Sequence, residues 1–273
     1  MKQPLTYLFV PGNRPERFDK ALAAGAGAIV IDFEDAVAAD DKALAREHVA
    51  RWSATRGDAL ANVVVRINDA GTPWFAGDLE CIRQSGIRTV MLPKAESPAQ
   101  IATVMAAMTA PAAVLPIIES ARGVQDVAAI ATAPGVVRLA FGTLDYALDL
   151  DLGDDGERAG LAYPSAQIAI ASRAAGIASP VAGVTPSLDD EAALLADLAF
   201  ARSFGFGAKL CIHPKQIAPI HRAFAPTPDA VAWATRVVAA AAASTGAAQL
   251  DGKMIDRPVL LRAQAILDSI PPA

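Results

Sequence analysis

Cysteine is scarce in this chain. Its 273 residues include only two, Cys81 and Cys211, and they lie far apart in apolar or helical contexts. Two such cysteines form neither a metal-binding spacing nor a disulfide framework, which excludes a small disulfide-stabilised secreted fold. We therefore expect a reducing compartment, the cytoplasm.

Long apolar runs and basic runs are missing as well. No apolar stretch reaches the roughly 20 residues that span a bilayer, and residues 1–4 lead into a strand-like run rather than a signal peptide. Lys and Arg number 24 against 29 Asp and Glu, for a net charge of −5. Without a basic segment, this charge argues against nucleic acid and anionic membranes as partners.

What the chain does have is a regular alternation of strand-like and helix-like segments. Helix signals include the capping sequence Ser97-Pro98-Ala99-Gln100 and Ser187, which is expected to cap a later helix. Eight short apolar, β-branched runs bounded by turn residues predict strands at residues 6–10, 28–33, 63–67, 89–92, 113–118, 136–141, 180–184 and 208–212.

Eight βα repeats at a spacing of about 30 residues predict a (β/α)8 TIM barrel over residues 1–225. A doubly wound open sheet is the alternative, but Pro11-Gly12-Asn13-Arg14 after the first strand is not its glycine-rich phosphate turn. Beyond the barrel we predict a helix from residue 227 to about 245, a loop over residues 250–258 and a short helix. We interpret residues 226–273 as a helical and lid extension that covers a barrel mouth, either its own or a neighbour's.

Polar and charged residues gather where the predicted strands end, whereas the strand starts are mostly plain. In a TIM barrel the carboxyl ends of the strands meet at one face, which carries the active site. The asymmetry therefore predicts an active site at that face. Its candidate residues are Asn13, Arg14, Asp32, Glu34, Asp35, Arg66, Asn68, Lys94, Glu96, Glu119, Asp145 and His213.

Two of these acids suggest a metal site. Glu119 and Asp145 follow consecutive strands, so we expect them to lie side by side. Carboxylate oxygens suit Mg²⁺, which usually takes one or two protein carboxylates and leaves its other positions to water and substrate. The alternative is that Glu119 pairs with Arg122 and that Asp145 caps the next turn.

Eight motifs in the correct order give the chain a family resemblance over nearly its whole length. The motifs are LFVPGNRPERFDKA (8–21), IDFEDAV (31–37), VVRIN (64–68), MLPKAES (91–97), PIIESARG (116–123), FGTLDY (141–146), CIHPKQI (211–217) and DGKMIDRPVL (251–260). With these motifs the chain resembles the citrate lyase β-subunit-like proteins, a branch of the HpcH/HpaI aldolase superfamily that includes malyl-CoA, citramalyl-CoA and related CoA-ester lyases.

The resemblance implies roles for residues at the mouth. It implies a (β/α)8 barrel that holds Mg²⁺ through Glu119 and Asp145, with Glu119 also facing the substrate. The matching arginine, Arg66, would grip the carboxylate and carbonyl end of a 2-oxo acid. Arg17 and Lys20 would lie towards the phosphates of coenzyme A.

The resemblance also implies contributions from the end of the chain. Ile212 and His213 would lie near the pantetheine path. Asp256 would reach in from the lid of a neighbouring subunit as an acid/base, which implies a homo-oligomer, commonly a homotrimer. Two positions depart from the family pattern: Leu144 stands where many relatives carry a second acid, and Ser179-Pro180 stands where strand seven often begins with an acid.

Plainer interpretations remain open for these residues. Arg66 could form only a salt bridge at the mouth with Asp32 or Glu34, which would then orient the arginine rather than bind metal. His213 is a better candidate for positioning than for catalysis. Arg17 and Lys20 share one side of a helix and could be solvated, and Asp256 could be a helix N-cap.

The leading functional hypothesis is a Mg²⁺-dependent carbon–carbon lyase that cleaves 3-hydroxyacyl-CoA esters of the malyl-CoA or citramalyl-CoA type. The products would be an acetyl-CoA-type thioester and a 2-oxo acid. The runner-up is a citrate lyase β subunit that cleaves citryl-acyl-carrier protein inside a multi-subunit complex. A non-catalytic acyl-CoA-binding paralogue is a third hypothesis. A class II pyruvate aldolase is a fourth, although the first histidine, His48, falls inside a predicted helix.

Overall fold

Eight parallel strands form a closed barrel in the computed structural model, which describes residues 3–109, 111–153, 158–243 and 248–270. The predicted TIM barrel is thus confirmed. Its strands are β1 (Thr6–Pro11), β2 (Ala28–Asp32), β3 (Val63–Arg66), β4 (Thr89–Leu92), β5 (Ala113–Ile118), β6 (Arg138–Phe141), β7 (Ala178–Ala182) and β8 (Ala208–Cys211).

Helices connect consecutive strands, as the alternating sequence pattern predicts. They are α1 (Phe18–Leu22), α2 (Lys42–Ser53), α3 (Phe75–Ser85), α4 (Pro98–Ala107), α5 (Ala121–Gln125), α6 (Val127–Ala131), α7 (Thr143–Asp149), α8 (Ala159–Ala174) and α9 (Glu191–Ser203), and α10 (Ile217–Phe224) follows β8.

Two predicted caps have different outcomes. The capping box that opens α4 is present, and the backbone N–H of Ser97 donates to Oε1 of Gln100 at 3.0 Å. The cap predicted at Ser187 is wrong, because α9 begins after Asp190, whose Oδ1 accepts from the N–H of Ala193 at 2.9 Å. Asp is as good an N-cap as Ser, so residue type alone does not distinguish Ser187 from Asp190.

The barrel interior is packed with side chains from all eight strands. Side chains alternate between the two faces of a strand, so Ala208 and Leu210 of β8 join this interior core while Lys209 and Cys211 face the surrounding helices. The buried members of the core are Tyr7, Ala28, Val30, Val64, Met91, Leu115, Ile117, Ala140, Val181, Ala208 and Leu210.

One strand start carries a charge, although the strand starts were expected to be mostly plain: β6 begins at Arg138 and not at residue 136. Arg138, at the start of β6, is 2 % exposed. It donates hydrogen bonds to the carbonyl oxygens of Pro4 and Ser179, both at 2.6 Å, and to the Tyr7 hydroxyl at 3.3 Å. A buried guanidinium thus ties β6 to β7 and to the segment before β1 at the end of the barrel opposite the predicted mouth.

The chain divides into two compact units, Met1–Ile220 and His221–Ala273. The boundary lies between residues 220 and 221, where the sequence suggested 225 and 226. The second unit contains α11 (Pro228–Ala243), β9 (Ala248–Leu250), β10 (Lys253–Ile255) and α12 (Arg257–Asp268). Ala234 and Val237 of α11 pack with Ala263 of α12 in a small core of its own.

The loop expected over residues 250–258 is wrong, because β9 and β10 pair as an antiparallel hairpin. Its turn is Asp251-Gly252, and both residues have positive φ angles, of 53° and 73°. An Asp-Gly pair between short strands is a strong hairpin signal, and it favours this hairpin over the predicted loop. The predicted helix end near residue 245 lies outside the described residues. Within the described ranges, no helix is long and apolar enough to cross a membrane.

Candidate active site

Glu119 and Asp145 line one cavity at the carboxyl ends of the strands. The cavity has a volume of about 330 Å³. Glu119 follows β5, Asp145 lies in the first turn of α7 after β6, and the two strands pair directly with Ile118 opposite Phe141. The same cavity is lined by Phe9, Asp32, Asp35, Ala36, Arg66, Ile117, Gly142, Thr143, Leu144, Val184, Leu210 and Ile212. The structure therefore places the two predicted metal ligands, Glu119 and Asp145, in one cavity with two predicted substrate-binding residues, Arg66 and Ile212.

The carboxyl group of Glu119 is held in a buried position. It is 6 % exposed, and its Oε1 accepts a hydrogen bond from the backbone N–H of Lys94 at 2.6 Å. Burial raises the pKa of Glu119 to about 8, and the negative charge of Asp145 adds to the increase. Ionising this group without a nearby cation is therefore costly.

These residues fit a hard divalent cation. A cation near Glu119 and Asp145 would offset the cost of burying negative charge there. Gly142 packs against Glu119, and a Cβ at residue 142 would lie 2.6 Å from the Glu119 Cβ, so the glycine leaves the space that the carboxyl group occupies. Among the described residues, no group of three or more His, Cys, Asp or Glu is placed to hold a metal. Two carboxylates suit Mg²⁺ rather than a zinc site, which needs at least three protein ligands.

Arg66, at the end of β3, lies within a cluster of acids. Its Nε and one terminal nitrogen donate to the two oxygens of Asp32, both at 2.7 Å. The other terminal nitrogen is 2.8 Å from Oε2 of Glu34 and 3.1 Å from Asp35. Burial alone lowers the pKa of Arg66, but the neighbouring acids raise it overall. The ring of Phe9 lies 4.8 Å below the guanidinium and completes its surroundings.

Asp32 and Glu34 orient Arg66, as the plainer sequence interpretation suggested. Asp32 is itself held by the backbone N–H groups of Glu34 at 2.9 Å and Ala36 at 3.0 Å. Burial raises the pKa of Glu34 to about 7, although Arg66 and Lys94 both lower it. The bidentate edge of Arg66 is occupied by Asp32, so binding of a substrate carboxylate by Arg66 stays a prediction.

The other predicted substrate-binding residues lie further out. His213 accepts from the N–H of Lys215 at its Nδ1, at 3.1 Å, and so caps the short helical turn after β8. Arg17 and Lys20 are exposed, and neither belongs to the described lining of the cavity. Roles for these three side chains stay predictions.

Asp256 lies in the second unit, where it is the N-cap of α12. Its Oδ1 accepts from the N–H of Val259 at 3.0 Å. This is the helix-capping alternative that the sequence left open. The predicted acid/base role of Asp256 stays a prediction.

Sequence reasoning did not identify two features of this site. Gly142 is needed for space beside Glu119, and Lys94 donates its backbone N–H to that acid. Gly142 could have been suspected, because it lies between a buried strand and Asp145. The backbone contact of Lys94 has no side-chain signature in the sequence.

Comparisons with known proteins place the chain among citrate lyase β-like relatives. The chain is 38% identical over 269 residues to a citrate lyase subunit beta-like protein of Mycobacterium tuberculosis, covering 96% of this chain and 93% of the relative. It is 32% identical to a citrate lyase subunit beta of Leuconostoc mesenteroides, with 96% and 91% covered. It is 30% identical to a (3S)-malyl-CoA thioesterase of Cereibacter sphaeroides, with 95% and 94% covered.

Solved structures give the same result. CitE of Mycobacterium tuberculosis in complex with magnesium, acetoacetate and coenzyme A superposes with a TM-score of 0.86 at 36% identity, covering 97% of each chain. The same protein with magnesium and pyruvate gives a TM-score of 0.76 at 33% identity, with 96% and 97% covered. The model of the HpcH/HpaI aldolase/citrate lyase family matches residues 5–214. This chain belongs to the HpcH/HpaI aldolase/citrate lyase family.

Proposed function

We propose that this protein is a Mg²⁺-dependent carbon–carbon lyase that acts on 3-hydroxyacyl-CoA esters of the malyl-CoA or citramalyl-CoA type. It releases an acetyl-CoA-type thioester and a 2-oxo acid. The observation that carries the proposal is that Glu119, Asp145 and Arg66 line one cavity at the carboxyl face of the barrel. The relative crystallised with magnesium, acetoacetate and coenzyme A supports the same ligand classes for this cavity.

The residues divide the chemistry between them. Glu119 and Asp145 would hold Mg²⁺, and the bound ion would supply a Lewis acid to the substrate fragment that leaves as the 2-oxo acid. Arg66 supplies a permanent positive charge beside that fragment. Its contacts with Asp32, Glu34 and Asp35 fix the orientation of the guanidinium before substrate arrives.

When the carbon–carbon bond breaks, its electron pair goes to the thioester enolate, and the substrate hydroxyl loses its proton as its oxygen becomes the carbonyl of the 2-oxo acid. The enolate carbon then takes up one proton, so the proton count balances. The proposed donor is Asp256, which would also remove that proton in the condensation direction. Asp256 would act from a neighbouring subunit of a homo-oligomer, a trimer in our proposal. Ile212 and His213 would lie along the pantetheine, and Arg17 and Lys20 would face the phosphates of coenzyme A.

A second candidate is a citrate lyase β subunit that acts on citryl-acyl-carrier protein in a complex. It is supported by the relative from Leuconostoc mesenteroides, which is named as such a subunit. The relatives named (3S)-malyl-CoA thioesterase point to a different outcome with the same class of ester, hydrolysis of the thioester bond.

The test is to incubate the purified full-length chain with Mg²⁺ and either malyl-CoA or citramalyl-CoA, and to identify the products. Acetyl-CoA together with glyoxylate or pyruvate is the expected result. Free coenzyme A with an intact hydroxy acid would indicate a thioesterase instead. Turnover only of citryl-acyl-carrier protein, and only with partner subunits present, would establish the second candidate.

A further inference from the structure

Lys94 has an unusual backbone conformation at the edge of the candidate site. It lies in the turn between β4 and α4, and its φ angle is 47°. Among the described residues, Asp151 and Asp251 are the other non-glycine residues with positive φ. Asp tolerates this left-handed region because its short side chain bonds locally, but Lys gains no such compensation. The conformation of Lys94 therefore needs support from its surroundings.

Hydrogen bonds on both sides of Lys94 supply that support. Its carbonyl oxygen accepts from the side-chain amide of Gln100 at 3.2 Å. The next N–H in the chain, that of Ala95, donates to the carbonyl oxygen of Ile117 at 3.1 Å. Gln100 is itself fixed by the capping box of α4. A strained residue that is held this firmly marks a functional position more often than a chance one.

The conformation of Lys94 directs two groups towards two acids. Its N–H donates to Oε1 of Glu119 at 2.6 Å. Its ammonium group lies 3.2 Å from Oε1 of Glu34, whose other oxygen is 2.8 Å from Arg66. One residue thus contacts both the acid proposed for Mg²⁺ and the acid that orients Arg66.

We propose that Lys94 is a positioning residue with two separable functions, and the proposal rests on the function proposed above. Its left-handed backbone aims an N–H at Glu119 and holds the carboxyl group in place for Mg²⁺. Its side chain balances the charge of Glu34 and keeps Arg66 available to the 2-oxo acid. Lys94 forms no Schiff base in this role.

Three variants separate the backbone function from the side-chain function. Lys94→Met removes the positive charge, and its unbranched side chain leaves the backbone preferences of residue 94 close to those of lysine. Lys94→Val makes the left-handed conformation much harder to adopt, because its side chain is β-branched. Lys94→Gly removes the side chain but adopts positive φ freely.

The measurements are calorimetric titrations of the full-length protein with Mg²⁺ alone and then with pyruvate at saturating Mg²⁺. Lys94→Val should weaken Mg²⁺ binding about tenfold, which is the typical effect of disturbing a group that orients a metal ligand. Lys94→Met and Lys94→Gly should bind Mg²⁺ like the wild type. All three should bind pyruvate about threefold more weakly, since the lost ion pair is partly exposed.

Asp151→Val is the matched control for backbone strain, because Asp151 is exposed and has a φ of 50°. It should lower the melting temperature and leave Mg²⁺ affinity unchanged. Wild-type Mg²⁺ affinity in folded Lys94→Val, or its loss in Lys94→Gly, would overturn the backbone function. Unchanged pyruvate affinity in Lys94→Met would overturn the side-chain function.

The outcome also separates this inference from the proposed reaction. A wild-type protein that binds Mg²⁺ and pyruvate but cleaves no CoA ester rejects the reaction and leaves the role of Lys94 open to the same titrations. A wild-type protein that binds no Mg²⁺ overturns both. Circular dichroism of each variant establishes that the barrel is folded.

Discussion

Two arginines, Arg138 (buried) and Arg66 (partly buried), occupy opposite ends of the barrel, and their surroundings differ. Arg138, at the amino end of β6, is surrounded by neutral acceptors: two backbone carbonyls and the Tyr7 hydroxyl. Arg66, at the carboxyl end of β3, is surrounded by the three acids Asp32, Glu34 and Asp35. The same side chain thus joins backbone segments at one end and sits among ionisable groups at the other.

We interpret this difference as a division of labour, with stability at the amino end of the barrel and the proposed chemistry at the carboxyl end. Carbonyl acceptors cannot titrate or exchange partners easily, so Arg138 works as a permanent tie. The acids around Arg66 hold it in the lining of the cavity that Glu119 and Asp145 also line. Substitutions at the carboxyl end should therefore change turnover, and those at the amino end should change stability.

The largest expected effect comes from Asp145→Ala. Loss of one of two proposed metal ligands should lower Mg²⁺-dependent turnover by about 10³-fold or more, roughly 4 kcal/mol in transition-state free energy. The melting temperature should hardly change, because residues at this face contribute little to barrel stability. Steady-state kinetics and thermal unfolding of the same sample provide the check. A variant with near-normal turnover would remove the metal mechanism.

Asp256→Ala should reduce turnover by about 10²-fold, the usual contribution of a general acid. Affinity for coenzyme A should change much less. Mixing Asp256→Ala with Glu119→Ala protein should restore part of the activity, because some sites would then combine an intact metal site with an intact Asp256. An inactive mixture of exchanging subunits would place Asp256 in the same chain as the metal site it serves.

Arg138→Met should produce the opposite pattern. It leaves the carbonyl oxygens of Pro4 and Ser179 without their buried donor, so we expect a loss of about 3 kcal/mol in the free energy of unfolding. Turnover per folded molecule should stay at the wild-type level. Urea unfolding gives the first quantity, and active-site-normalised kinetics the second. A fall in turnover without a loss of stability would contradict the division between the two ends.

Lys209 is another buried cation, and it should make the free energy of unfolding depend on pH. Burial lowers the pKa of Lys209 to about 8, against the opposing charge of Asp197. The unfolded state then keeps its proton between about pH 8 and 10.5 while the folded state loses it, so stability rises with pH in that window. Below about pH 8 Lys209 is protonated in both states, and the folded state is destabilised by the full cost of burying its positive charge.

Lys209→Met removes this titration. The difference in unfolding free energy, wild type minus variant, should therefore increase by about 2 kcal/mol between pH 7.5 and 9.5. Urea unfolding of both proteins at the two pH values measures it. A difference that stays constant would mean that Lys209 keeps its proton throughout that range.

Much of this architecture could be predicted from local sequence. The eight strands are short and mostly buried, and they alternate with helical segments at a regular spacing that is typical of a barrel. Glu119 and Asp145 could be placed at one mouth because barrel topology puts every strand end there. Both inferences depend on residue type and spacing, which the sequence displays directly.

The rest depends on contacts between distant segments. The partners of Arg138 are 134 and 41 residues away along the chain, and its burial follows from a packing that no local pattern reveals. The left-handed backbone of Lys94 depends on Gln100 and Ile117, which surround it only in the folded barrel. The β9–β10 hairpin differs, because its Asp-Gly turn was visible in the sequence.

Gly142 shows how narrow the tolerance of this site is. Its φ angle of −85° is open to any residue, so the backbone itself does not demand glycine. A methyl group there would still displace Glu119, because it would collide with the Glu119 Cβ. Rotating the carboxyl group does not relieve a clash with the Cβ. One added carbon atom should therefore disrupt the proposed metal site, and we expect the barrel to remain folded.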